Sequence, residues 1–179
     1  MRAFIGLGGN IGEPSVAFRA AAAELRAIGA VVGASSLYTS APRDGQNQPA
    51  FLNAALEMET DLDPHALLTA LKEIERRLGR APNERRWGPR IIDLDILSFD
   101  GRCVADSDLD LIVPHPRLQE RRFALEPLAE LDPNLQPWRG CADLRGDVTV
   151  ADLLPSVAEQ EVQRVGGPEW SDPAASRGG

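Results

Sequence analysis

The chain has 179 residues, 43% of them hydrophobic, and a formal net charge of −8. That length suits one domain able to bury a sizeable core, and the acidic balance argues against a nucleic-acid surface, which is normally basic. No stretch approaches the ~20 apolar residues of a membrane span, and residues 1–7 are too short an apolar run for a signal peptide, so a cytoplasmic protein is expected. Cys103 and Cys141 have no metal-type spacing, and reduced thiols are expected of them.

Residues 2–7 read as a strand ended by Gly8-Gly9-Asn10. Pro14 suits a first helical turn, and the Ala-rich stretch 16–28 reads as a helix stopped by Gly29. Residues 31–39 and 52–59 look like strands, separated by a loop over 40–49 rich in Pro, Gly, Asn and Gln. Asp63-Pro64 caps a second helix, whose Leu67, Leu68, Leu71, Ile74 and Leu78 follow a helical period up to Gly79. An irregular segment, 80–89, leads into a strand from Ile91 to Leu97. This order predicts an α+β fold of the ferredoxin-like type. Its βαββαβ core would carry an antiparallel four-stranded sheet with helices packed on it. C-terminal additions follow: a short hairpin near Cys103-Val104 and a helix over 117–131 despite Pro127. We expect a single domain over 1–155 and a mostly mobile polar tail over 156–179.

Within Arg90-Ile91-Ile92-Asp93-Leu94-Asp95-Ile96-Leu97 two carboxylates stand on an aliphatic strand. Side chains alternate faces, so Asp93 and Asp95 share one face, with Cα atoms about 6.5–7 Å apart. Carboxylates on such a strand are costly unless something positive meets them. Magnesium suits the position, since it takes one or two carboxylates together with waters and substrate phosphates. Two ions roughly 4 Å apart would clamp a phosphoryl group between them. Arg76, Arg77, Arg80, Arg85, Arg86 and Arg90 crowd the preceding window. Arg76 and Arg77 are expected on a solvated helix face paired with Glu73 or Glu75, and Arg90, just before the strand, offers a planar donor fork suited to phosphate. Gly6-Leu7-Gly8-Gly9-Asn10 is no Walker loop, because no Gly-Lys-Ser or Gly-Lys-Thr follows. We expect a tight turn there, with Asn10 in a structural or supporting role.

The segment Arg86-Trp87-Gly88-Pro89-Arg90-Ile91-Ile92-Asp93-Leu94-Asp95-Ile96-Leu97 resembles the signature of the 6-hydroxymethyl-7,8-dihydropterin pyrophosphokinase family. Further blocks match in order: Gly8-Gly9-Asn10, Gln48-Pro49-Ala50-Phe51-Leu52-Asn53, Val113-Pro114-His115 and Arg121-Arg122-Phe123. The resemblance implies diphosphate transfer from ATP to the hydroxymethyl group of the pterin, releasing AMP, in folate biosynthesis. It implies two Mg2+ ions on Asp93 and Asp95, with Arg80 and Arg90 stabilising the transferring group. ATP is expected at Glu75, Arg80, Arg90, Ile96, His115 and Arg121, with Glu75 near the adenosine. The pterin is expected at Ser40, Ala41, Pro42, Phe51, Asn53, Trp87, Asp93 and Phe123, the aromatic rings forming its walls. A monomer without nucleic-acid or membrane partners is expected. Departures from the commoner family pattern at Pro82-Asn83 and Arg43 bear on loop contacts only.

From the residues alone, two alternatives stay open. One is a magnesium phosphohydrolase with an aspartate nucleophile, although such enzymes place the pair after the first strand of a doubly wound sheet. The other is a non-catalytic ferredoxin-like module binding RNA or a partner, disfavoured by the acidic charge and the lack of an aromatic RNA-binding strand motif.

Overall fold

The computed structural model describes residues 1–42, 48–80, 88–141 and 146–172. Its elements in chain order are β1 (Arg2–Gly9), α1 (Pro14–Leu25), β2 (Ala30–Ala34), β3 (Leu37–Ser40), β4 (Phe51–Glu59), α2 (Pro64–Arg77) and β5 (Asp93–Phe99). There follow β6 (Val104–Asp106), β7 (Leu111–Val113), α3 (Arg122–Leu131), α4 (Val150–Leu153) and β8 (Val162–Gly166). The main sheet is antiparallel and runs β5-β1-β4-β3-β8, with β2 also paired to β4. The fold is thus mixed helix and antiparallel sheet, as expected, but the sheet has six strands where four were expected.

Two causes account for the extra strands. The single strand expected over 31–39 breaks at Ser35-Ser36. There side chains replace ladder bonds: Ser35 Oγ accepts from Ala55 N–H at 2.9 Å, and Glu130 accepts from the Ser36 N–H at 2.8 Å and hydroxyl at 2.7 Å. The second cause is β8, which lies in the expected tail and pairs with β3. Beyond it Trp170 is only 4% exposed. Its indole N–H donates to Ser35 O at 2.8 Å and its ring meets Phe18 edge-on, with centroids 5.9 Å apart. Residues 162–171 are therefore packed against the domain and differ from the mobile tail expected there. Residues 173–179 lie outside the described set.

Alternation along β1 divides the core. Ala3, Ile5 and Leu7 face α1 and α2, in a cluster with Phe18, Leu25, Leu67, Leu71 and Ile74. Phe4 faces the opposite layer, with Leu97, Leu125, Leu128, Trp138 and Val150. Both helices over the first face have clear starts. Pro14 occupies the first turn of α1, and the Asp63 side chain accepts from Ala66 N–H at 2.8 Å at the start of α2. Cys103 and Cys141 are joined as a disulfide, with Cα atoms 5.5 Å apart. The expectation of reduced thiols is corrected by this geometry, which the wide sequence spacing did not reveal.

Candidate active site

One cavity gathers most of the expected residues. It is lined by Ser40, Ala41, Phe51, Asn53, Arg90, Asp93, Asp95, His115, Arg121 and Phe123. Its floor comes from β1. Gly6 pairs with Asp95 and Gly8 with Asp93 across β1–β5, while Gly8 also pairs with Asn53 across β1–β4. With no side chain at Gly8 the space between Asp93 and Asn53 stays open, whereas the Leu97 side chain packs over Gly6. The strand was expected to end at Leu7 but continues to Gly9. Gly6-Leu7-Gly8, with Leu7 in the core, is a period-2 pattern that could have revealed this floor.

Asp93 and Asp95 share the cavity face of β5, as expected, while Leu94 and Ile96 point into the core. Arg90 Nη1 donates to Asp93 Oδ2 and Arg80 Nη1 to Asp93 Oδ1, both at 2.6 Å. Burial opposes the Asp93 charge, but Arg90 and Arg80 hold its carboxyl below the usual range. Asp95 behaves oppositely. Burial, reinforced by the Asp93 charge, pushes its carboxyl up to about 6 against Lys72 and Arg121. Two adjacent carboxylates in these surroundings favour a cation. Among the described residues no third His, Cys, Asp or Glu joins them in a metal-type group. Two carboxylates with room for phosphate and water fit magnesium better than a protein-only cage.

Across the cavity, burial and the nearby Arg121 and Arg117 lower His115 to about 4, so it is neutral at pH 7. Its Nδ1 lies 3.1 Å from the Arg117 N–H and its Nε2 3.3 Å from Arg121 Nη1, and a neutral ring accepts from only one of these two donors. A neutral imidazole beside two arginines suits a binding role better than one as general base. Arg121 also lies over the Phe123 ring, 5.6 Å from its centroid.

Asn53 is 4% exposed, and its Nδ2 donates to Ser40 Oγ at 2.9 Å. That bond holds the start of the 40–49 loop against β4. Asn10 ties the other end. Its Nδ2 donates to Pro49 O at 3.1 Å, its Oδ1 accepts from Arg90 N–H at 2.9 Å, and its own N–H donates to Arg90 O at 2.9 Å. The sequence suggested only a supporting role for Asn10; the structure makes it the link between the 40–49 loop and Arg90.

Several expected residues fall elsewhere. Pro42, Glu75, Arg80 and Ile96 do not line the cavity. Ile96 is 4% exposed within the core, so only its main chain is available to a ligand. Arg76 pairs with Glu73 and Arg77 with Glu24, on the solvated face expected of them. Trp87, Arg85, Pro82-Asn83 and Arg43 lie outside the described residues.

Residues 4–133 match the family model described as 7,8-dihydro-6-hydroxymethylpterin-pyrophosphokinase. The chain is 40% identical over 166 residues to the 2-amino-4-hydroxy-6-hydroxymethyldihydropteridine pyrophosphokinase of Methylorubrum extorquens, covering 92% of this chain and 98% of that protein. It is 46% identical over 131 residues to the protein of that name from Bacillus subtilis, covering 72% and 77%. Its fold resembles a crystal structure of Plasmodium falciparum HPPK-DHPS, with a TM-score of 0.64 at 15% identity, covering 87% of this chain and 44% of that one.

Proposed function

The chain belongs to the 7,8-dihydro-6-hydroxymethylpterin-pyrophosphokinase family and is an ATP-dependent diphosphotransferase of folate biosynthesis; from that premise we propose how its own residues carry the reaction. Asp93 and Asp95 hold magnesium, two ions in the full complex. The supporting observation is their shared face on β5 beside Gly8 of β1, in one cavity with Arg90, His115 and Arg121. Magnesium bound there neutralises phosphate charge and favours the ionised form of a nearby hydroxyl.

The pterin occupies the end of the cavity lined by Ser40, Ala41, Phe51, Asn53 and Phe123, with Pro42 and Trp87 completing it. Asn53 spends Nδ2 on Ser40 and keeps Oδ1 as an acceptor for the ring edge. ATP lies toward Arg80, Arg90, His115 and Arg121, with the Ile96 main chain beside it. The hydroxymethyl oxygen forms a bond to the β-phosphorus, the bond from that phosphorus to the bridging oxygen breaks, and AMP leaves while the hydroxyl proton passes to solvent. Arg80 and Arg90 exchange their Asp93 contacts for the phosphoryl group, stabilising charge as it develops.

The same reading takes the enzyme as a cytoplasmic monomer acting on small molecules, without nucleic-acid or membrane partners. The charge of −8 weighs against a nucleic-acid partner, and no helix among the described residues is long and apolar enough to cross a membrane. The strand order β5-β1-β4-β3 supports a ferredoxin-like core, extended by β8. Magnesium titration by calorimetry, with a non-hydrolysable ATP analogue present, tests the site. The wild type should show strong magnesium-dependent binding that Asp93→Asn and Asp95→Asn lose. Unchanged titrations in both variants would remove the metal assignment.

A further inference from the structure

Arg122 opens α3 between two residues that line the active-site cavity, Arg121 and Phe123, while its own side chain lines a second groove that shares Ser40 and Ala41 with the first. As the first helical residue it has an N–H without a partner inside the helix, and the Arg121 side chain does not cap it. Gln160 does so from 38 residues away: its Oε1 accepts from the Arg122 N–H at 3.0 Å, and its Nε2 donates to Glu120 O at 2.8 Å. The Arg122 guanidinium holds the same segment from the other side. Nη1 donates to the Ala158 and Gln160 carbonyls at 2.9 and 3.0 Å, and Nε donates to Glu126 Oε1 at 2.8 Å, which aims the side chain. The segment then enters β8, where Val162 pairs with Ser40 and Gln163 with Thr39. Residues 158–163 therefore bridge the start of α3, which carries Phe123, to the end of β3, which carries Ser40. Ser40 in turn pairs with Phe51 across β3–β4.

We propose, on the pterin placement given above, that Arg122 and Gln160 are positioning residues whose clasp sets the gap between Phe123 and the Ser40–Phe51 pair, and with it the fit of the pterin ring. A flat ring held between side chains from two elements gains its contact energy only at close separation. Opening the gap by about 0.5–1 Å forfeits a quarter to a half of the attraction at each contact. α3 packs on β3 and β4, and the clasp adds a polar tie at its first turn, beside Phe123. The nucleotide end has its own supports. Arg121 N–H donates to Leu118 O at 3.2 Å and Arg121 Nη1 lies 3.3 Å from His115 Nε2, contacts in which Gln160 takes no part. The clasp thus bears on the pterin and leaves ATP alone.

The test is calorimetry on Gln160→Ala, which removes the cap and the Glu120 tie, on Arg122→Ala, which removes the two carbonyl ties, and on the double variant. Pterin is titrated with a non-hydrolysable magnesium–ATP analogue bound, and the analogue is titrated by itself. Each single variant should weaken pterin binding about fivefold, within the range by which contacting residues couple, and leave the dissociation constant of the analogue unchanged. The double variant should be little worse than either single one, because both break the same clasp. A merely structural role would lower Tm without separating the two ligands. Gln160 is half-buried at the surface, so Gln160→Ala keeps the core intact and decides the matter by that split even where Arg122→Ala does not fold. Phe123→Ala, measured beside them, should weaken pterin binding on its own. With Phe123→Ala impaired, unchanged pterin affinity in the clasp variants, equal weakening of both ligands, or additive losses would each overturn the proposal alone. Unchanged pterin binding by Phe123→Ala would overturn the site reading and the proposal with it.

Discussion

Gly8 and Asp93 face one another across the β1–β5 ladder, and a methyl group built on Gly8 would lie 3.9 Å from both Asp93 Cβ and Asn53 Oδ1. Those are ordinary contacts, so the strand has room for alanine, which it also prefers over glycine by roughly 0.5–1 kcal/mol. That methyl would stand on the cavity floor between Asp93 and Asn53. Gly8→Ala should therefore melt at or above the wild-type temperature while losing activity. A melting curve and steady-state kinetics on one preparation check this, and full activity would show that substrate does not reach the floor.

Trp170 holds the C-terminal segment. Besides its own bond to Ser35, its carbonyl accepts from Arg19 Nε at 3.3 Å, and the Ser171 carbonyl accepts from Arg26 Nη2 at 2.7 Å. Trp170→Ala should cost ~3–5 kcal/mol, lowering Tm by roughly 10 °C for a chain of this size. Truncation after Pro155 removes β8 as well and should cost at least as much. Because β8 backs β3, which ends at Ser40, truncation should also raise the KM for pterin more than it raises the KM for ATP. An unchanged Tm in both proteins would mean that the segment does not stay docked in solution.

Glu130 ties α3 to the break between β2 and β3 by accepting from Ser36 and from the Tyr38 hydroxyl, the latter at 2.9 Å. Burial opposes its charge, but the Ser36 and Tyr38 bonds hold the carboxyl below its ordinary 4.5. A carboxyl lowered on folding stabilises the native state above its unfolded pKa and loses that contribution as pH falls through the folded value. The Tm gap between wild type and Glu130→Gln should accordingly be a few degrees at neutral pH and shrink on acidification below 4.5. A gap independent of pH would show that the Glu130 charge adds nothing beyond its shape.

Much of the site was legible because strand alternation is rigid: the Asp93/Asp95 face and the apolar Leu94 and Ile96 followed from spacing alone. Glu75 was harder. A glutamate on an amphipathic helix looks solvated until β5 is placed against it, and only tertiary packing reveals the Leu94 N–H that it caps. Gly8 and Gly9 were read as ending the strand, since glycine more often marks turns than the interior of a strand. Trp170 was placed in a mobile tail because one aromatic residue in a polar segment leaves no periodicity. Its partners Phe18 and Ser35 lie far back in the chain. The disulfide had the same character, closing a separation of 38 residues that carries no local pattern.

Diphosphate transfer itself is tested most directly by the nucleotide product. Incubated with magnesium, ATP and 6-hydroxymethyl-7,8-dihydropterin, the protein should form AMP in step with pterin consumption. ATP should stay largely intact when pterin is withheld, because a closed cavity excludes the water that would compete as nucleophile. Separation of the nucleotides by chromatography reads the outcome. AMP equal to pterin consumed is the expected result; ADP as the main product, or phosphate released without pterin, would contradict it.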